Sequence, residues 1–202
     1  MLRYGLTGGI ASGKSTVAAV LRERGFPVLE ADRMARQLIE PGGAAHEEVV
    51  SRFGAGILEP GGGIDRQRLA SLVFQDRAKL DALNAIVHPR VEEAIELDFA
   101  ALEAAGGHRA AFVEAALIFE AGLDRRLDGV VVAWCLPEQQ LARLKQRGMN
   151  EAEARQRMAM QMPVEEKLAK ATDKIDCSGS IAETRRQVAA LADRLNGAPP
   201  AA

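Results

Sequence analysis

Residues 4–25 read YGLTGGIASGKSTVAAVLRERG and concentrate glycines, a lysine and hydroxyl side chains in one short stretch. Gly8, four further residues and Gly13-Lys14-Ser15 complete the pattern G-x-x-x-x-G-K-[ST], which is typical of a loop that cradles phosphate groups. Glycine is needed because the backbone curls round the phosphate more closely than a Cβ allows. Lys14 is expected to reach the β- and γ-phosphates of ATP, and the Ser15 hydroxyl to bind Mg²⁺.

The elements on either side of this loop are those that would position it. Leu2 to Leu6 predicts a strand, and the spacing of Val17, Val20 and Leu21 predicts one apolar face on a helix over 13–24, whose N-terminus points at the same anion. A glycine-rich turn with an incidental lysine is the alternative, which this context disfavours. The predicted ATP contacts are Gly9, Ile10, Ala11, Ser12, Gly13, Lys14, Ser15 and Thr16.

Strand-like and helix-like runs alternate along the chain. Further buried strands are predicted at 26–29, 111–113, 130–136 and 174–177. Such alternation indicates a parallel sheet with helices on both faces. The predicted fold class is therefore α/β, a P-loop kinase fold with a sheet of about five strands.

The long stretch between the second and third strands contains no strand pattern. Asp65 and Asp76 are predicted to cap two helices, and Pro89 to begin a third that Gly106-Gly107 closes. These signals predict an all-helical insertion over 61–107.

A second helical pair follows the 130–136 strand, with Pro137 opening one helix and Asn150 capping the next. Residues 143–157 hold five basic side chains, Arg143, Lys145, Arg147, Arg155 and Arg157, against two acidic ones, Glu151 and Glu153. The hairpin is either a solvated charged surface or a lid over 137–171. Because lids supply arginines to a transferring phosphoryl group, we predict a lid in which Arg143 and Arg147 contact ATP.

Composition limits the classes of protein to which the chain can belong. With 202 residues and 48% hydrophobic side chains, it can bury one substantial α/β core. The formal net charge of −2 provides no general attraction for nucleic acid. Two cysteines without C-x-x-C spacing favour a reducing compartment and no structural disulfide. Without a leader pattern or a long apolar run, the expectation is a cytoplasmic protein that does not bind membranes; the C-terminal GAPPAA is expected to fray.

Several segments together resemble the dephospho-CoA kinases over almost the whole chain. In order, they are LTGGIASGKS, EADRMARQL, IVHPRV, ALIFEAGL, QLARLKQRGMNEAEARQRMAMQMPVEEKLAKA and KIDCSGS. The resemblance implies transfer of the ATP γ-phosphoryl group to the 3′-hydroxyl of dephospho-CoA. It also implies one domain over 1–202 in three parts. These are a core at about 1–60, 108–136 and 172–197, a substrate subdomain at about 61–107 and a lid at about 137–171.

The same resemblance assigns the acceptor side. Asp32, after the second strand, is predicted to accept the hydroxyl proton, although it could instead cap the following helix. Arg36, one turn further, is predicted to pair with a substrate phosphate. His88 and Glu120 are expected substrate contacts, the alternatives being a structural histidine and an ion pair with an arginine. Thr7 completes the predicted substrate set. We expect the partner to be this small molecule alone, and the protein to be a monomer or a weak homo-oligomer.

The chain departs from the usual family pattern at three places. Glu30 and Ala116 replace an aspartate and a proline, and Cys177 replaces an asparagine in a loop expected near the adenine. Glu114 ends a strand where a Mg²⁺ carboxylate often lies, but the family pattern does not require an acid there, and we leave it outside the metal site.

Two other function classes share parts of this pattern. A kinase of a nucleoside monophosphate or of shikimate would have the loop and lid without the His-Pro insertion. A non-catalytic nucleotide-binding protein would be expected to lose Lys14, Ser15 or Asp32, all of which are present.

Overall fold

The computed structural model describes residues 1–197, without the side chain of Phe74, and contains one parallel sheet. Its strands are β1 (Leu2–Thr7), β2 (Val28–Glu30), β3 (Ala110–Glu114), β4 (Gly129–Trp134) and β5 (Asp173–Asp176). Their order across the sheet is β2-β3-β1-β4-β5, and every neighbouring pair is parallel. The five predicted strands are confirmed, with ends that differ by at most two residues.

Helices connect the strands and confirm the α/β class. They are α1 (Lys14–Glu23), α2 (Ala31–Leu38), α3 (His46–Phe53), α4 (Arg66–Phe74), α5 (Arg77–Ala105), α6 (Pro137–Gln146), α7 (Glu151–Ala159), α8 (Val164–Lys170) and α9 (Ile181–Leu195). Asn150 caps α7 as predicted, since its Oδ1 accepts the Glu153 N–H at 2.9 Å. Within residues 1–197, every helix is too short or too polar to cross a membrane.

Both faces of the sheet are covered by apolar side chains. On one face, Leu6 and Val131 join a buried cluster with Val17 and Leu21 of α1 and with Val188 of α9. On the other face, a Cβ on Gly5 would meet Ile118 and Leu127 of the β3–β4 connection. Burial on both faces explains why the strands read as nearly continuous hydrophobic runs.

Backbone contacts divide the chain into two compact units. The first comprises Met1–Glu30 and the chain from Phe99 onward, and holds the sheet; the second is Ala31–Asp98. The second unit has its own core, in which Val49 of α3, Leu69 of α4 and Ile86 of α5 are buried together. The division into core, substrate subdomain at 61–107 and lid at 137–171 stays a prediction.

The predicted helix start at Pro89 is wrong, because α5 runs without a break from Arg77 to Ala105. Proline removes one backbone donor and crowds the preceding turn, which usually ends or kinks a helix. Arg90 follows the proline directly, and its Nη1 donates to Ile86 O one turn earlier at 2.6 Å. Its Nε donates to Ala44 O at 3.0 Å and its Nη2 to Glu48 Oε2 at 2.5 Å. These contacts with Ala44 and with Glu48 of α3 hold α5 in place beside the proline.

The two aspartate caps in this unit are confirmed. Asp65 Oδ1 accepts the N–H groups of Gln67 and Arg68, both at 3.0 Å, at the start of α4. Asp76 Oδ1 accepts the Ala78 N–H at 2.9 Å at the start of α5. The expected fraying of GAPPAA falls largely on 198–202, outside the described residues.

Candidate active site

The loop between β1 and α1 follows a backbone path that side chains in place of its glycines would obstruct. A Cβ on Gly8 would lie 2.0 Å from Ala133 O, and one on Gly13, where φ is +115°, would lie 2.8 Å from Cys177 Cβ. Ala11 has φ 57° and is the single non-glycine residue with positive φ among the described residues. Such backbone strain persists when surrounding contacts determine it. We define the phosphate loop as residues 8–15.

Several groups of the phosphate loop fit an anionic ligand. Lys14 Nζ lies inside the loop, donating to Gly8 O at 3.1 Å and to Gly9 O at 3.3 Å. Ser12 Oγ is buried, and within residues 1–197 it has no hydrogen-bond partner. The N-terminus of α1 offers further N–H groups to the same space. A tight backbone cradle with a lysine and an orphaned hydroxyl matches the phosphates of a nucleotide.

Arg143 of α6 donates hydrogen bonds to backbone carbonyls of the phosphate loop. Its Nη1 donates to Ala11 O at 3.1 Å and to Ser12 O at 3.3 Å, and its Nη2 donates to Cys177 O at 2.8 Å. These bonds fix the carbonyl of the strained residue Ala11, so the arginine supports the conformation of the loop directly.

Arg147 and the other basic residues of the hairpin are placed differently. Arg147 lies just past the end of α6 and is exposed. Lys145 and Arg155 pair with Glu151, and Arg157 pairs with Glu153, in exposed ion pairs that contribute little free energy. Of the five basic residues, Arg143 therefore contacts the phosphate loop. The three ion pairs match the alternative interpretation of the hairpin, which was a solvated charged surface.

Two glutamines also contact the phosphate loop, and sequence reasoning gave neither a role. Gln161 Oε1 accepts the Ile10 N–H at 2.7 Å. A Cβ on Gly9 would lie 2.3 Å from Nε2 of Gln140, which is buried on α6. Gln161 belongs to the Gln-Met-Pro that follows α7, so the pattern could have indicated it, but its contact with residue 10 spans most of the chain.

An ion pair anchors the segment that carries Gln161. The side chain of Lys167 is fully buried, and its Nζ lies 2.9 Å from Glu120 Oε1 and donates to Ala116 O at 2.9 Å. Glu120 Oε1 also accepts the Met162 N–H at 2.9 Å. Partial burial raises the pKa of Glu120, but the bonds from Lys167 and Met162 outweigh it and hold the pKa below its usual value.

These contacts change the view of two predicted substrate residues. Glu120 forms an ion pair, but with Lys167 instead of the expected arginine. Thr7 is fully buried, and its hydroxyl donates to Ala116 O at 3.2 Å. Both side chains thus take part in one network that joins the end of β1 to α8, and their substrate contacts stay predictions.

The residues that could hold Mg²⁺ are few. Ser15, the last residue of the phosphate loop and the second of α1, is exposed, and Glu114 ends β3. Residues 1–197 contain no group of three His, Cys, Asp or Glu side chains that could hold a metal ion. Magnesium in kinases is bound largely through substrate phosphates and water with one or two protein ligands, so a single hydroxyl fits it.

Comparison with known proteins shows the family. The family model described as dephospho-CoA kinase matches residues 2–183. The chain belongs to the dephospho-CoA kinase family. The dephospho-CoA kinase of Geobacillus kaustophilus is 44% identical over 191 residues, which cover 94% of each chain.

Solved structures agree with this assignment. A Thermus thermophilus protein has a TM-score of 0.82 at 37% identity, over 95% of this chain and 97% of that one. The dephospho-CoA kinase from Campylobacter jejuni has a TM-score of 0.72 at 29% identity, over 96% and 98% respectively. The P-loop kinase fold predicted from the sequence is thereby confirmed.

The remaining predicted residues of this dephospho-CoA kinase family member lie in the second unit. Asp32 and Arg36 are exposed on α2, four residues apart and hence on one face. Because α2 begins at Ala31, Asp32 lies inside the first helical turn and not at the N-cap position of the alternative interpretation. His88 is half-buried within α5, directly before Pro89. Their roles stay predictions.

Proposed function

We propose that the chain transfers the γ-phosphoryl group of ATP to the 3′-hydroxyl of the ribose of dephospho-CoA, giving coenzyme A and ADP in the final step of coenzyme A synthesis. The observation that carries this proposal is the phosphate loop with Lys14 inside it, in a chain that matches the dephospho-CoA kinase family over residues 2–183. The same two facts favour an enzyme over a non-catalytic nucleotide-binding protein.

The first unit would bind the nucleotide. Lys14 would exchange its contacts with Gly8 O and Gly9 O for the β- and γ-phosphates, where its charge offsets the charge that develops during transfer. The Ile10 N–H would become available to a phosphate oxygen once Gln161 moves away. Arg143 would hold the carbonyls of Ala11 and Ser12 in their present orientation. Mg²⁺, held by Ser15 and the phosphates, would supply further positive charge to the γ-phosphoryl group.

The second unit would supply the acceptor side. A sugar hydroxyl is a weak nucleophile and needs a hydrogen-bond acceptor for its proton, which we assign to Asp32. Asp32 follows the last residue of β2 by two positions, and parallel sheets bind their ligands at the carboxyl ends of their strands. Arg36 would bind a phosphate of dephospho-CoA, and His88 would contact the same substrate.

The setting proposed for this activity follows from the thiols. We propose that the protein works in the cytoplasm as a monomer or weak homo-oligomer, since a reducing compartment would keep the thiols of Cys135 and Cys177 free.

A panel of acceptors tests the proposed function. Purified protein is incubated with ATP and Mg²⁺ and with dephospho-CoA, shikimate or a nucleoside monophosphate, and ADP release is followed while the product is identified by mass spectrometry. Dephospho-CoA should give one coenzyme A for each ADP, and the Lys14→Ala variant should give almost none. Faster transfer to shikimate or to a nucleoside monophosphate would overturn the proposal.

A further inference from the structure

Two cysteines that play no part in the proposed chemistry lie side by side under the phosphate loop. Each directly follows the last residue of a strand, Cys135 after β4 and Cys177 after β5. These strands are parallel neighbours whose last registered pair is Trp134 and Asp176, and the Cys177 N–H continues the ladder by donating to Trp134 O at 2.7 Å. Cys135 therefore stands opposite Cys177 as the next pair.

This placement suits a covalent bond between the two sulfur atoms. Opposite residues of adjacent strands point to the same face and lie about 4.8 Å apart, the strand spacing. A disulfide requires Cα atoms about 4.4–6.8 Å apart. Both side chains are buried in the same cluster between the sheet and α1. The Cα spacing of the pair thus lies within the range that a disulfide spans.

Both thiols also contact the phosphate loop itself. Cys135 Sγ lies 3.9 Å from Ala11 O. Cys177 Sγ would lie 2.9 Å from a Cβ placed on Gly13, so the thiol packs closely against that glycine. A shift of the Cys135 sulfur would therefore alter its contact with Ala11, and a shift of the Cys177 sulfur would alter its packing against Gly13.

Arg143 makes one of the two thiols the better nucleophile. Its Nη1 lies 3.4 Å from Cys135 Sγ, where the positive charge favours the thiolate. Burial raises the pKa of Cys135, and the guanidinium of Arg143 opposes that rise. Burial raises the pKa of Cys177 to about 11. The contact with Arg143 therefore assigns the first attack to Cys135 and leaves Cys177 to resolve the product.

We propose that Cys135 and Cys177 form an oxidation site, in which a peroxide converts the two thiols into a disulfide beneath the phosphate loop. The Cys135 thiolate attacks one peroxide oxygen, the O–O bond breaks, and the other oxygen leaves as water after taking a proton. The Cys177 sulfur then attacks the resulting sulfenic acid, the S–O bond breaks, and a second water leaves. Two thiols and hydrogen peroxide give one disulfide and two waters.

The disulfide weakens nucleotide binding because it displaces sulfur atoms that pack against the phosphate loop. A sulfur drawn toward its neighbour leaves the carbonyl of Ala11 or the surface of Gly13, and the phosphate loop relaxes from its tight backbone path. A dithiol restores both contacts by reducing the bond. The accompanying loss of turnover rests on the proposed function, whereas disulfide formation and ATP affinity do not.

The test treats the full-length reduced protein with hydrogen peroxide and then divides the sample, with and without dithiothreitol. Peptide mapping identifies the linked cysteines, calorimetry measures the Kd for ATP, and the fluorescence of Trp134, the chain's one tryptophan, follows the change at Cys135. Oxidation should link Cys135 to Cys177 and raise the Kd for ATP by about ten-fold or more, reversibly.

Two single variants, Cys135→Ala and Cys177→Ala, serve as controls, since cysteine packs as a small hydrophobic residue. The ratio of the oxidised to the reduced Kd is compared within each variant, so a change in the variant's own affinity does not matter. Both ratios should stay near one. Oxidation to sulfinic acid without a linked peptide, or a linked peptide with unchanged ATP affinity, would overturn the proposal. Absence of kinase turnover in the reduced protein would contradict the proposed function alone.

Discussion

The phosphate loop is fixed by hydrogen bonds from neighbouring elements, whereas the predicted acceptor residues are exposed to solvent. In the first unit, Arg143 and Gln161 bond the backbone of the loop, and Lys14 lies folded within it. In the second unit, Asp32 and Arg36 lie exposed on α2. Under the proposed function, the nucleotide side is thus largely shaped by the fold, whereas Asp32 and Arg36 would be ordered as the acceptor binds.

This difference has an energetic meaning. A preorganised loop loses little entropy when the nucleotide binds, so its residues act on binding and on the transition state together. Exposed side chains pay for ordering when the acceptor arrives. Substitutions in the two regions should therefore separate in their effects on ATP and on dephospho-CoA.

The largest effect is expected at Lys14, which carries the charge inside the loop. Lys14→Ala should lower kcat by about 10³-fold, as removal of a group that stabilises transition-state charge does. The thermal midpoint should change little, because the side chain is not part of the apolar core. Steady-state turnover and thermal unfolding on one preparation check this result. Turnover near that of the wild type would contradict the role of the phosphate loop in transfer.

Asp32→Asn tests the acceptor side with a smaller change. The amide keeps the size of the side chain but cannot take the proton, so kcat should fall by about 10²-fold while the KM for dephospho-CoA changes less. Asp81→Asn, at an exposed position of α5, is the matched control. If the Asp32 variant loses only thermal stability, the carboxylate serves the helix and the comparison between the two regions fails.

Arg143→Lys sharpens the comparison on the nucleotide side. The lid interpretation expects an arginine that acts chiefly in the closed state, so that Arg143→Lys would change ATP affinity by only a small factor. Since the guanidinium already bonds Ala11 O, Ser12 O and Cys177 O, we now expect lysine to weaken ATP affinity and lower turnover together. The loss should be about ten-fold, or about 1.4 kcal/mol.

The control for this substitution is Arg155→Lys, which alters an exposed ion pair of the same hairpin and should change neither quantity. Calorimetry for ATP and steady-state kinetics are measured on both variants. Reduced turnover of Arg143→Lys with unaltered ATP affinity would restore the lid interpretation.

The smallest effect concerns the pH dependence of stability through Glu120. Its folded pKa lies below the unfolded value, so its ion pair stabilises the protein above the unfolded pKa and is lost as pH falls through the folded pKa. Urea unfolding from about pH 6 to pH 3 should show a smaller acid loss for Glu120→Gln than for the wild type. Equal slopes for the two proteins would show that the ion pair contributes no pH dependence.

The sequence predicted correctly those features that depend on interactions between residues close together in the chain. The strands, the caps at Asp65 and Asp76 and the glycine positions of the loop follow from hydrophobic runs, short polar side chains and steric space. Pro89 misled the prediction because tertiary contacts can hold a helix across a proline, here those of Arg90 with Ala44 and Glu48, more than 40 residues away in the chain.

The same limit applies to the site. The loop residues were identified from their spacing, but their supports were not. The pairing of Glu120 with Lys167, the bond from Ile10 to Gln161 and the alignment of Cys135 with Cys177 depend on tertiary contacts and on strand register. A single sequence without structural neighbours contains no local signal for such contacts.

The central claim is that the first unit binds the nucleotide while residues of the second unit select the acceptor. Calorimetry with ATP and with dephospho-CoA separately, on Arg36→Ala and on the matched control Arg33→Ala from the same helix, tests it most directly. Arg36→Ala should weaken dephospho-CoA binding by about ten-fold with an unchanged Kd for ATP, and Arg33→Ala should alter neither. An equal loss of affinity for both ligands, or no loss for dephospho-CoA, would contradict the division between the two units.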